Sequence, residues 1–249
     1  MSFEERMRSS SEANRTKIIL ALDVEDPNRN NLIKKATKIL REASNYVCAV
    51  KINRQLVLSL GLHEGVDSIV KLAHELSLPA IMDAKLNDVG HTNEFMMRSY
   101  IDAGFDSVIA SPVVGWEGGL DSVFELARSR GKGVILLVYM SNPGAESLYS
   151  LKSMPTNGAP GRVFELFARM AAQWNANGVI VGATKPDIIT RVRGLVGPKI
   201  PILSPGVGVQ GGDARKAIAA GSDYLIVGRS IYAATEPGDA AMRFRDLAM

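Results

Sequence analysis

Two carboxylates flank a lysine in Asp83-Ala84-Lys85-Leu86-Asn87-Asp88, which follows directly on a short apolar run. In an extended strand, side chains two residues apart project to the same side, so Asp83 and Lys85 can enter one cavity together. A lysine held by carboxylates keeps its proton and presents an oriented cation, useful wherever negative charge develops on carbon. A cluster of surface ion pairs would explain the same residues without any chemistry. Asp23 and Lys51 bear on that choice, because each stands at the end of an apolar run, IILALDV and AVKIN, where a plain core would carry an aliphatic residue. Either alone reads as a helix cap or a salt-bridge partner. On one face with residues 83–88 they would extend a relay of alternating charge.

A second constellation is Pro205-Gly206-Val207-Gly208-Val209-Gln210-Gly211-Gly212-Asp213, followed by Val227-Gly228-Arg229. Residues 206–211 match the spacing GxGxxG, but too little chain follows Gly211 to complete a dinucleotide-binding half. Glycine-rich loops late in a barrel instead collect phosphate through backbone N–H groups and a helix N-terminus. Arg229 would add a bidentate clamp. Tight turns alone would also account for the glycines. The three histidines, His63, His74 and His91, have neither the spacing nor the cysteine partners of a metal site, and no metal ligand is expected.

These residues need elements to place them. Short β-branched runs at 17–24, 47–52, 79–83, 106–110, 134–139, 178–181, 200–203 and 224–227 alternate with amphipathic stretches at 31–43, 66–76, 92–103, 120–130 and 162–175. Such alternation predicts an α/β fold, a (β/α)8 TIM barrel in a single domain, with roughly 30 residues per unit. The boundaries expected are a polar N-terminal segment over 1–16 and a barrel over 17–249. Ala103-Gly104-Phe105-Asp106 and Ala220-Gly221-Ser222-Asp223 each end a helix and open a strand, which assigns them to the stabilising end of the barrel. The other strand ends carry Asp23, Lys51, Asp83, Lys85, Ser141, Pro205-Gly206 and Gly228-Arg229, which is where such a barrel keeps its active site. Residues 141–161 lack a helical or strand period, and their place after the fifth strand favours a lid.

Composition narrows the partners. At 249 residues, 46% hydrophobic, the chain can bury a large core, and its one cysteine, Cys48, excludes an internal disulfide. The opening residues lack a secretion signal and no apolar run approaches a membrane span, so a soluble, cytoplasmic protein is expected. A net charge of +3 spread without stripe or block suits a small anionic ligand and not a nucleic-acid backbone.

In order and spacing, LALDV at 20–24, VKI at 50–52, DAKLNDVGHT at 83–92, SNPGA at 141–145, SPGVGVQGGD at 204–213 and IVGRSIY at 226–232 make the chain similar to one family. It resembles the orotidine 5′-phosphate decarboxylases, particularly the short archaeal and bacterial forms, from about residue 17 to 237. The resemblance implies a carboxy-lyase that makes uridine 5′-phosphate in de novo pyrimidine biosynthesis, without a cofactor and as a homodimer. It implies that Lys85 faces and protonates the C6 carbanion and that Asp83 lies beside the departing carboxylate. Asp88 and Thr92 would reach into the neighbouring subunit's site. Asp23 and Lys51 would hold ribose hydroxyls, Ser141 would read the pyrimidine amide, and Gln210 and Arg229 would grip the 5′-phosphate with the loops at Pro205, Gly206, Gly208 and Gly228. Val89-Gly90-His91 departs from the commonest wording after Asp88, which bears on the local turn. Two rivals remain: a magnesium-dependent lyase of the hexulose-phosphate synthase and ketogulonate-phosphate decarboxylase group, which carries an acidic residue where this chain has Lys51, and a non-catalytic sensor of a phosphate ligand.

Overall fold

The computed structural model describes residues 1–154 and 160–248. Its strands are β1 (Ile18–Ala21), β2 (Ala49–Asn53), β3 (Ala80–Leu86), β4 (Ser107–Ala110), β5 (Gly133–Tyr139), β6 (Lys152–Ser153), β7 (Gly161–Arg162), β8 (Gly178–Val181), β9 (Ile202–Pro205) and β10 (Tyr224–Val227). All but β6 and β7 close into one barrel in the order β1-β10-β9-β8-β5-β4-β3-β2, every pair parallel. The chain is a single (β/α)8 barrel. Strand boundaries differ from the expected ones mainly at the mouth: β1 stops at Ala21, whereas β3 and β9 run on to Leu86 and Pro205.

Alternation along the strands divides the core in two. Ile19, Ile81, Ile109, Ile135, Ile180 and Ile226 point inward and fill the barrel, while their neighbours pack outward against the helices. The floor of this interior is closed by the helix Phe3–Ala13, which presents Phe3, Met7 and Ser10 on one face. Ser2 and Glu5 form a capping box at its start, fixing where the helix begins. A Cβ at Gly133 would lie 2.3 Å from the Phe3 ring, so glycine is required there for the plug to seat. The segment expected only to be polar is thus a stopper whose two large apolar residues join the barrel interior.

Residues 141–161 interrupt the repeat. They contain the short helix Ala145–Tyr149 and one side of the two-stranded ribbon β6–β7. Tyr149 packs on Tyr139 and Phe167, with ring centroids 5.3 and 6.1 Å apart. The expected lid lies partly outside the described residues, at 155–159, and so does Met249 at the expected end of the barrel domain.

Candidate active site

The C-terminal ends of the barrel strands surround a cavity of about 220 Å³. One water needs roughly 10–15 Å³ on this scale, so the space suits a ligand much larger than an ion. Asp23, Lys51, Asp83, Lys85, Ser141, Pro205, Gly206, Gln210, Gly228 and Arg229 all line it.

Its charged side is a chain of alternating sign. Lys85 Nζ donates to Asp83 Oδ1 at 2.6 Å, Lys51 Nζ donates to Asp83 Oδ2 at 2.9 Å, and Lys51 Nζ also reaches Asp23 Oδ1 at 3.4 Å. Burial works against both central charges, but their partners prevail. Desolvation alone would lower the pKa of Lys51, yet Asp83 and Asp23 hold its ammonium above the usual value. Desolvation would raise that of Asp83, yet Lys51 and Lys85 hold its carboxyl below the usual range. The site therefore keeps a buried cation at Lys51 and a buried anion at Asp83 in place before any ligand arrives.

Asp83 and Lys85 enter the cavity together, but the backbone between them is not the regular strand expected from their spacing. Lys85 has φ +48°, and the pairing of β3 with β4 shifts register between Met82 and Leu86. A bulky residue in the left-handed region carries strain of about 1–3 kcal/mol, which the flanking pairs must hold. Such a bulge re-aims a side chain without ending the strand.

The opposite side is apolar, lined by Ile109, Leu137, Met140 and Ile180. Ser141 stands at its edge and donates to Gln210 Oε1 at 2.9 Å. A Cβ at Gly182 would come within 2.7 Å of Ser141 Cα, so this glycine lets the chain after β5 lie close against β8 and positions the serine. At the third side, Gly206, Gly208 and Gly211 all have positive φ, giving the tight loop that brings Gln210 over the cavity. Several amides of this loop are already engaged: Gly208 N donates to Gly212 O, Gly212 N to Gly206 O and Val209 N to Ser230 Oγ. Gly208 is outside the cavity wall, where its amide serves the loop, and this differs from the direct contact expected of it. Arg229 lies in the wall, and its guanidinium has no hydrogen bond or ion pair among the described residues.

Asp88 and Thr92 do not line the cavity of their own chain. Asp88 is exposed, and among the described residues its Oδ1 accepts only from the neighbouring Val89 N, at 2.7 Å. Three polar wall residues escaped the sequence reading, Asn53, Ser230 and Tyr232, as did the apolar wall. Asn53 was accessible to it, being two residues beyond Lys51 on the same strand face. Tyr232 lies three residues after Arg229 on one helical turn, and its hydroxyl pKa is pushed up by burial and by Asp23.

The family described as Orotidine 5'-phosphate decarboxylase / HUMPS matches residues 16–244. The chain belongs to this family. An orotidine 5′-phosphate decarboxylase of Methanosarcina barkeri is 39% identical over 227 residues, covering 91% of this chain and 91% of that one. Another, from Pyrococcus abyssi, is 37% identical over 229 residues, covering 92% and 97%. The crystal structure of orotidine 5′-phosphate decarboxylase from Pyrococcus horikoshii superimposes with a TM-score of 0.75 at 35% identity, covering 93% of this chain and 98% of that one. The decarboxylase and HUMPS branches share the family description, so what separates them has to come from the cavity itself.

Proposed function

We propose that this protein decarboxylates orotidine 5′-phosphate to uridine 5′-phosphate, the step that completes de novo pyrimidine synthesis, without a metal or other cofactor. One observation carries the reading: the Lys85–Asp83–Lys51–Asp23 chain faces a cavity whose far wall holds Arg229, its guanidinium unpaired among the described residues. Arg229 and Gln210 bind the 5′-phosphate, Asp23 and Lys51 the ribose, and the pyrimidine lies toward Ile109 and Leu137 with Ser141 at its amide. The substrate carboxylate is then brought against Asp83, two like charges in a site with little water. When the bond from C6 to the carboxyl carbon breaks, carbon dioxide leaves and the electron pair stays on C6. The ammonium of Lys85 faces that pair and transfers its proton to it, and Lys85 is reprotonated from solvent. A fixed cation aimed where charge develops stabilises the transition state more than the ground state.

The magnesium-dependent branch of the family is disfavoured by Lys51. Its ammonium sits 2.9 and 3.4 Å from the two carboxylates that a divalent ion would use. A cation already occupies the place. A pure phosphate sensor would have no need of the strained Lys85. Loss of the ultraviolet absorbance of orotidine 5′-phosphate in the presence of a chelator tests the reading. Turnover only with added magnesium would overturn it.

The same reading includes a homodimer with shared sites. Val89 and Phe95, beside Asp88 and Thr92, are 53% and 71% exposed, apolar surface that a two-fold partner would cover. Asp88 and Thr92 of each copy would then complete the other's cavity. Mixing inactive Asp88→Ala with inactive Lys85→Ala protein is expected to restore activity, because one pocket of each heterodimer regains both residues. No recovery after confirmed subunit exchange would place Asp88 in the pocket of its own chain. Among the described residues no helix is long and apolar enough to cross a membrane, which is compatible with a cytoplasmic site of action.

A further inference from the structure

Asn53 ends β2 and stands at the N-cap of the helix Arg54–Leu60, with φ −92° and ψ 160°. Asparagine is among the strongest N-caps because its side-chain oxygen accepts a hydrogen bond from the first turn. Here that bond is absent. Asn28 and Asp213, at the caps of Arg29–Ala43 and Ala214–Ala219, do make it. The carboxamide of Asn53 instead lines the cavity and has no hydrogen-bond partner among the described residues. A half-buried amide that forgoes an available local bond is placed for something that enters the cavity.

Its surroundings indicate what that is. Asn53 is two residues beyond Lys51 on the inward face of β2 and pairs in register with Asp83. Arg229 and the 206–212 loop lie at β9 and β10, the apolar wall at β4, β5 and β8, and Asn53 falls on the polar arc between them with Asp23 and Lys51. In the function proposed above, on which this inference rests, that arc faces the sugar. Lys51 can only donate and an ionised Asp23 can only accept, whereas a carboxamide can do either and so can a hydroxyl. We infer that Asn53 hydrogen-bonds a ribose hydroxyl of the nucleotide and helps to select ribose over deoxyribose.

Steady-state kinetics of Asn53→Ala and Asn53→Asp with orotidine 5′-phosphate and its 2′-deoxy and 3′-deoxy analogues, together with melting temperatures, test this. Asn53→Ala is expected to raise KM for the ribonucleotide by about threefold to tenfold, the effect of one neutral hydrogen bond, with kcat changed less than about twofold. That loss disappears with the analogue lacking the contacted hydroxyl. The melting temperature stays where it was, because no cap bond is removed. Asn53→Asp, an equally good cap that adds a carboxylate beside Asp23 and Asp83, keeps the fold and still loses affinity. A KM unaltered in Asn53→Ala, or raised equally for all three substrates, would overturn the inference. So would a fall in melting temperature that Asn53→Asp restores along with KM, which is the behaviour of a cap. No turnover of orotidine 5′-phosphate by the unmodified protein would instead remove the function beneath both claims.

Discussion

At the floor of the barrel, Asp106 is 1% exposed and accepts from His74 Nε2 at 2.8 Å, Ala80 N at 2.9 Å and Lys132 Nζ at 3.3 Å. At the mouth, Asp83 is also buried but among the described residues answers only to two lysines, one of them held in a strained backbone, while the guanidinium of Arg229 beside the same cavity has no counter-ion among them. The floor also repeats its solution. Asp106, Asn177 and Asp223 each stand one residue before a strand and accept an N–H from the first two residues of the preceding one, at Ala80, Val134 and Ile202. Cys48 holds the same place before β2, its amide donating to Ile18 O at 2.7 Å. These polar groups at the floor are matched within the chain, which makes them stabilising. Those at the mouth are left with unused capacity, and that capacity is what a ligand can use.

The sharpest way to break the contrast is Lys85→Ala. Activity is expected to fall at least a hundredfold in kcat, about the loss from removing one preorganised transition-state donor, with KM far less affected. The melting temperature should hardly fall, and Lys85→Gly should raise it, since glycine adopts φ +48° without strain. A loss of kcat below about a hundredfold would remove Lys85 from the chemistry.

Asp106→Ala is the converse experiment. It leaves Ala80 N and Lys132 without their buried partner, and breaking such a contact costs about 3–5 kcal/mol of stability. Turnover of the surviving folded protein should be within about twofold of the unmodified chain. The effect has a pH signature. Burial would raise the Asp106 pKa, but hydrogen bonds from His74 and Ala80 and the charge of Lys132 hold it below the usual range. A depressed carboxyl stabilises the fold above its unfolded value of about 3.9, and the contribution is lost as pH falls through the lower folded value. Denaturant midpoints of the variant and the parent should therefore diverge at neutral pH and converge in acid. A constant difference down to pH 2 would mean that packing, and not the ionised carboxylate, supplies the stability.

Arg229→Ala comes next in size. The predicted loss in kcat/KM is about 2–4 kcal/mol for the phosphorylated substrate and almost none for orotidine lacking the phosphate. Equal losses with both would mean that Arg229 supports the barrel or the pyrimidine side, and the mouth would then resemble the floor.

Sequence showed the mouth more readily than the floor, for a physical reason. Charged residues at the ends of apolar runs, as at Asp23, Lys51 and Asp83, stand out because a core would not choose them. The Asp106 and Asp223 turns were visible as a repeated AGxD, but the partners they share are main-chain N–H groups of the preceding strand, which have no residue type to read. Asn177 and Cys48 share the position without sharing the motif. The stopper helix hid for another reason: only Phe3 and Met7 mark its inner face, four residues apart in a segment otherwise polar. Its capping box, Ser2 to Glu5, was the available signal. Nothing in a sequence marks Lys85 as left-handed, because only glycine advertises positive φ.

The smallest expected effect concerns a lapse at the floor itself. Ser107 is buried on the inward face of β4, and its hydroxyl, with that of Ser10, is without a hydrogen-bond partner among the described residues. Ser222, also buried, differs in being fully engaged, its Oγ 2.8 Å from Ser204 Oγ and 3.1 Å from Tyr224 O. The same substitution should therefore act with opposite sign at the two positions. Ser107→Ala removes an unsatisfied hydroxyl and should raise stability by about 1 kcal/mol, roughly 2–4 °C in melting temperature for a domain of this size. Ser222→Ala breaks made bonds, strands Ser204 Oγ, and should lower the melting temperature by at least as much. Neither lies at the mouth, so kcat should stay unchanged in both. If Ser107→Ala were destabilising too, a bound water would be completing that hydroxyl's bonds, and the floor would be matched throughout.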